Sequence, residues 1–258
     1  MTTSHNSFGS GPAVIFLHGV GSGKEGWQHQ VLPVVEIGWQ FVAIDAPGFG
    51  ANPVPDDVGF EPHVGGVLEV MDHLGLEKAV ICGHSLGGMT AQEVFASAAD
   101  RVSGLILSAT SPAFGRPDGD FQKKFLRDRF APFDNGMSMA EFAERFSPKL
   151  VGPAPQPNAV QEIVDVMKLV PIDTYRQAMR TITGFDQRDN LPNINVPTLL
   201  IAGENDTNAP APMMEKMAGK IADAQFVLLP QTGHLAPIEN PEIFNQHLTD
   251  FLKRIDPT

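Results

Sequence analysis

A chain of 258 residues can bury a full core, and one domain carrying an insertion accounts for the length better than two independent domains. Its 30 acidic and 18 basic residues give a formal charge of -12, which excludes the surplus of clustered Lys and Arg that a nucleic-acid partner requires. With 42% hydrophobic and 19% charged residues, one cysteine and no apolar run of membrane-spanning length, the composition is that of a soluble globular protein with neither internal disulfides nor a membrane partner. The polar start, Met1 to Gly11, lacks a signal-peptide core, so the expected location is the cytoplasm.

Pro12 to Leu17 is a nearly continuous apolar run, as expected for a parallel strand covered on both faces. The glycine-rich loop His18-Gly19-Val20-Gly21-Ser22-Gly23 follows and leads toward a helix at about Trp27 to Val35. Such a loop either cradles phosphate or offers a backbone N–H, here that of Val20, to an oxyanion. A P-loop lysine precedes Ser or Thr, whereas Lys24 precedes Glu25, which favours the oxyanion reading. Phe41 to Asp45 is the next strand, and Asp45 is expected to tie down the turn Ala46 to Gly50 through backbone N–H groups. Val64, Val67, Leu68, Met71 and Leu74 mark a helix that stops at Gly75, with His63 and His73 placed on its surface.

Ala79 to Cys82 is a short buried strand, and Met89 to Ala99, alanine-rich and free of Gly and Pro, is a helix. The turn between them, Gly83-His84-Ser85-Leu86-Gly87, has the G-x-S-x-G pattern of a nucleophile elbow. In such a turn the serine sits at a strained tip, and the start of the helix aims N–H groups, including that of Leu86, above the hydroxyl. Glycine-rich turns also bind phosphate or nothing, so the element needs an acid and a base from elsewhere. Cys82, within the strand, reads as a buried inert thiol.

Val102 to Leu107 continues the alternation of strand and helix, which implies a parallel sheet with helices on both faces. That rhythm stops at Ser111. Residues 112–191 contain Pro and Gly clusters, phenylalanines at 114, 121, 125, 130, 133, 142 and 146 among others, and helical patterns, with no strand-like run. They read as a helical cap, with 1–111 and 192–258 as the core domain. Candidate substrate contacts are Trp27, Phe114, Phe130 and Leu235, together with Arg129, Arg176 and Arg180, whose guanidinium groups suit a carboxylate; apolar core and a solvated helix face are the alternatives for these types.

The sheet resumes at Val196 to Ala202, followed by Gly203-Glu204-Asn205-Asp206, and the last strand, Gln225 to Leu229, leads to Gly233-His234. Asp206 lies farther into its loop than Glu204, and His234 sits on a loop free to turn its ring inward, unlike His247 within the final helix. Ser85, Asp206 and His234 thus follow three strands in the order nucleophile, acid, histidine, which differs from the chymotrypsin and subtilisin orders.

With these elements the whole chain resembles the α/β-hydrolase fold family, most closely its 3-oxoadipate enol-lactonase and carboxylesterase branch. Two departures stand out. About ten residues precede the first strand, where members carry two more strands, so that sheet edge is expected to be abbreviated. Leu235 follows the histidine where hydrolases of meta-cleavage products place Trp. The resemblance implies acyl transfer from a small-molecule ester or lactone to Ser85, with His234 as base, Asp206 orienting it, the Val20 and Leu86 N–H groups as oxyanion hole, and neither cofactor nor metal. Carbon–carbon hydrolysis, perhydrolysis and a slow small-molecule receptor remain open, as do monomer and homodimer.

Overall fold

The computed structural model describes residues 2–115 and 119–255. Seven strands form one sheet in the order β1-β3-β2-β4-β5-β6-β7: β1 (His5–Phe8), β2 (Ala13–Leu17), β3 (Gln40–Ile44), β4 (Ala79–His84), β5 (Val102–Ser108), β6 (Thr198–Gly203) and β7 (Ala224–Leu229). All neighbours are parallel except β1, which runs antiparallel to β3 from His5↔Ile44 to Phe8↔Phe41. The edge is therefore shortened but not bare. His5 to Phe8 lacks the apolar run of the other strands because it is an edge strand, with its first three residues half-buried and the last exposed.

The pleat sorts the side chains. Ile15, Leu17, Val42, Ile44 and Ile81 face one apolar layer, shared with α2 (Glu61–His73), α3 (Leu86–Ser97) and α8 (Ala211–Ala218). Val14, Phe16, Phe41, Ala43, Val80 and Cys82 face the other, shared with α1 (Val31–Glu36) and α10 (Pro241–Leu252). Fully buried strands on both faces explain why the apolar runs are continuous rather than alternating. The single helix expected at Trp27 to Val35 is instead a 3-10 helix, Lys24–Gln30, followed by α1. Pro33 has no N–H for the His29 carbonyl four residues back, and that carbonyl accepts from Asn245 Nδ2 at 2.8 Å instead.

Between β5 and β6 lie α4 (Asp120–Asp134), α5 (Met139–Phe146), α6 (Ala159–Met167) and α7 (Ile172–Thr183). The chain leaves and re-enters the sheet through a narrow neck, where Phe114 N–H donates to Phe185 O at 2.9 Å and Gln187 N–H to Pro112 O at 2.8 Å. Ser138 starts α5 with a capping box, its hydroxyl accepting from Glu141 N–H while the Glu141 carboxylate accepts from Ser138 N–H. Phe133, Phe142, Ile163, Met167, Tyr175 and Ile182 of this segment form a third apolar layer with Val20 and Leu235 of the sheet loops and Leu86 and Met89 at the start of α3. It covers the loops that follow β2, β4 and β7. The chain crosses from β3 at one side of β2 to β4 at the other, so the β2–β4 boundary is the switch point where ligand sites form in open parallel sheets.

His63 is buried, which corrects its surface placement. It lies four residues before Val67 on the buried stripe of α2, so the spacing itself carried the signal. Its ring packs near Phe60, and burial, with a smaller contribution from His18, lowers its pKa to about 4. His73 is exposed.

Candidate active site

Ser85 has φ 53° and ψ -114°, a positive φ that a non-glycine residue holds only when its surroundings over-determine it. The surroundings are backbone. Ser85 N–H donates to Ser108 O at 2.9 Å, and Ser85 O accepts from Thr110 Oγ1 at 2.8 Å. A Cβ on Gly83 would stand 2.1 Å from Gly87 O, and one on Gly87 2.0 Å from Leu17 O, so β2, β4 and α3 meet at distances only glycine permits.

The loop after β2 passes directly over this elbow, because a Cβ on Gly19 would lie 3.2 Å from Ser85 Cβ. His18 anchors it: Nδ1 donates to Gly19 O at 2.8 Å and Nε2 accepts from Ala46 N–H at 2.9 Å, the tautomer consistent with a pKa lowered by burial. Asp45 ties the same region together, accepting from Lys24 N–H at 2.9 Å and Ser4 Oγ at 2.8 Å and pairing with Lys24 Nζ. Burial works against its ionisation, yet the Lys24 ammonium and these donors hold its carboxyl below the usual range. Among the described residues neither the Val20 nor the Leu86 N–H donates a hydrogen bond, although both residues are buried. Orphaned buried donors are rare, and two of them lie at the loop and elbow that pack on each other.

His234 Nδ1 is 2.7 Å from Asp206 Oδ2. Asp206 Oδ1 accepts from Asn208 N–H at 2.8 Å and Ala209 N–H at 3.1 Å, which fixes the carboxylate before the histidine is considered. Burial pushes the Asp206 carboxyl up, and the His234 contact together with the two N–H donors more than offsets it, leaving the pKa lowered. Glu204 points away and accepts from Gln231 N–H at 2.9 Å. The His234 loop is held by Glu239, a buried carboxylate that sequence reading missed: it accepts from Leu235 N–H at 3.0 Å and Gly152 N–H at 2.7 Å. Burial raises its pKa against those donors. An acid inside the otherwise apolar short helix α9 (Ala236–Glu239), five residues past the histidine, was the available signal. His84 completes the cluster, its ring 4.9 Å from that of His234, with a pKa far below the ordinary value because of burial.

Ser85, His84 and His234 line one cavity of about 280 Å³, together with Gly19, Val20, Phe114, Phe125, Arg129, Tyr175 and Leu235. Of the candidate substrate contacts, Phe114, Arg129 and Leu235 line this cavity. Trp27 is not among its walls: it is buried in the opposite layer against Phe16, with ring centroids 4.9 Å apart, because the 3-10 turn directs it under the sheet. Phe130, Arg176 and Arg180 also lie off the cavity. Both guanidinium groups sit over the Phe130 ring, and Arg176 pairs with Asp134 at 2.6 Å. Leu86 is not among the residues that line the cavity. The Ser85 hydroxyl has no hydrogen-bond partner among the described residues; nucleophile-to-base contacts commonly tighten when substrate is bound. No group of three His, Cys, Asp or Glu side chains among the described residues is arranged to hold a metal, and no helix among them is long and apolar enough to cross a membrane.

The chain is 28% identical to 3-oxoadipate enol-lactonase 1 of Acinetobacter baylyi over 250 residues, covering 95% of this chain and 90% of that one. It is 26% identical to a 2-hydroxy-6-oxononadienedioate/2-hydroxy-6-oxononatrienedioate hydrolase of Comamonas testosteroni, covering 96% and 90%. Among solved structures it resembles a thermophilic esterase from Thermogutta terrifontis, studied with malate bound, at TM-score 0.88 and 29% identity, covering 97% of this chain and 93% of that one. The fold, with its seven-stranded sheet and flanking helices, is that of these hydrolases. The sequence profile of the alpha/beta hydrolase family matches residues 14–247, and the chain belongs to that family.

Proposed function

We propose that the chain is a serine hydrolase that cleaves a carboxylic ester or lactone of a small organic substrate through an acyl-enzyme on Ser85. The observation that carries this reading is the His234–Asp206 hydrogen bond of 2.7 Å: it engages Nδ1 and leaves Nε2 as the free ring nitrogen in the cavity that Ser85 lines. In the first half-reaction the Ser85 hydroxyl proton passes to His234 Nε2 as Oγ bonds to the carbonyl carbon. The tetrahedral oxyanion accepts from the Val20 and Leu86 N–H groups, and Asp206 stabilises the imidazolium. The carbon–oxygen bond to the leaving group then breaks, and the alkoxide takes the proton from His234. Water, deprotonated by the same histidine, attacks the acyl carbon; the carbon–Oγ bond breaks and Ser85 recovers its proton. No cofactor or metal enters these steps.

Residues 112–191 act as a cap that shapes the cavity over a core of 1–111 and 192–258. The lone thiol of Cys82, buried and with its pKa raised well above the ordinary value by that burial, fits a cytoplasmic enzyme. The similarity to the Comamonas hydrolase favours one second reading, hydrolysis of a carbon–carbon bond in a vinylogous diketone by the same three residues. A panel of p-nitrophenyl esters and lactones run beside a coloured ring-fission product tests both. Ester or lactone turnover that disappears in Ser85→Ala supports the proposal; turnover of the ring-fission product alone, or full activity in Ser85→Ala, overturns it.

A further inference from the structure

Among the described residues the cavity walls contain one cation, Arg129, and no carboxylate, in a chain whose acidic residues outnumber its basic ones by 30 to 18. Among the described residues Arg129 has no ion-pair partner, whereas its neighbours on the same segment are matched: Arg176 to Asp134 at 2.6 Å and Lys124 to Asp128. Its guanidinium lies over the rings of Phe125 and Phe146, 5.4 and 4.6 Å from their centroids, which fixes its plane by stacking. Tyr175 is 1% exposed, its ring wedged between Phe133 and Phe142, and it lines the same cavity. Its hydroxyl has no hydrogen-bond partner among the described residues. Burial pushes its pKa up to about 12 against the opposing pull of the Arg129 charge, so the group stays a donor. A half-buried cation without an ion-pair partner, beside a fully buried hydroxyl that makes no hydrogen bond of good geometry, is a costly arrangement in an apolar cavity that an anion would relieve.

We propose that the substrate carries a carboxylate besides the bond attacked at Ser85, and that Arg129 and the Tyr175 hydroxyl hold this carboxylate while Phe114, Phe125 and Phe146 enclose an apolar body. The proposal rests on the hydrolase reading for the attack at Ser85 but not for the binding. The p-nitrophenyl monoester of glutaric acid and the matching p-nitrophenyl glutaramate differ only in a terminal carboxylate or carboxamide. The wild-type protein should prefer the carboxylate by at least about tenfold in kcat/KM, the difference lying in KM. Arg129→Gln should erase that ratio, Arg129→Lys should keep part of it, and the isosteric Tyr175→Phe should reduce it about threefold. A wild-type ratio below about twofold, or a ratio that survives in folded Arg129→Gln, overturns the proposal.

Calorimetric titration of Ser85→Ala with glutarate and with glutaramate separates the two readings. Preferential glutarate binding that Arg129→Gln removes, without turnover of either ester by the wild type, sustains the carboxylate site and sinks the hydrolase. Turnover of both esters with no preference for the carboxylate does the reverse.

Discussion

At the Ser85 elbow backbone packs on backbone: Gly83 against Gly87, Gly87 against Leu17, with the serine held at φ 53° by strand and helix alike. In the helical segment above it, side chain packs on side chain: Phe133, Phe142, Tyr175 and Met167 interlock, and the polar groups among them are few. The first kind of contact tolerates no added atom and so fixes geometry. The second tolerates exchange of one apolar shape for another and so permits the cavity to be reshaped without moving the elbow. On the proposed function, chemistry and selectivity are thereby built on separate supports, joined at the His234 loop, where Glu239 accepts from Leu235 N–H and Gly152 N–H.

The comparison is broken most severely at the reacting groups. Ser85→Ala or His234→Ala should lower kcat for any accepted ester by about 10⁴–10⁶-fold with little change in melting temperature, since members of such a unit act together. The next test opposes floor and roof directly. Gly87→Ala places a Cβ 2.0 Å from Leu17 O and should cost several kcal/mol, enough to lose the folded protein in urea titration, on the order of the largest single-residue effects. Met179, buried in the roof and lining the cavity, gives the counterpart: Met179→Ala should cost about 2–4 kcal/mol and shift the KM ranking among acyl chains while hydrolysis persists.

Acid stability sharpens the account of the floor. His63 has a folded pKa of about 4 against an ordinary 6.5, so the unfolded chain binds a proton that the folded chain refuses. Its contribution is complete above the unfolded value and is lost as pH falls from 6.5 toward 4. Between about pH 7 and pH 5 urea unfolding should lose about 2 kcal/mol more in the wild type than in His63→Gln. The smallest effect concerns the joint. Glu239→Gln replaces a two-oxygen acceptor by an amide that presents a donor to one of its N–H partners, and kcat should fall about tenfold with KM changed less.

Sequence reading located the floor well because its determinants are local. Glycines at 83 and 87, a serine between a buried strand and a helix, and two loop residues after later strands spell out positions that backbone contacts then enforce. It located the roof poorly for the same reason. Whether Arg129 or Arg180 faces the cavity depends on how α4 and α7 rotate against each other, and both residues sit on equally plausible helical faces. Trp27 lies off the cavity because a 3-10 turn runs where the local sequence suggests a regular helix. His63 falls on a legible buried stripe, and the lack of a partner at metal-ligand spacing, which suggests a surface histidine, says nothing about burial. The edge strand His5–Phe8 carried no apolar run because edge strands need none.

The central claim, that Ser85 is acylated, is tested most directly by treating the purified chain with a fluorophosphonate and mapping the adduct by peptide mass spectrometry. The account predicts a single adduct on the peptide containing Ser85, formed in step with complete loss of ester turnover and prevented by competing substrate. Turnover that survives full labelling of Ser85, or inactivation with the adduct on another residue, would contradict it.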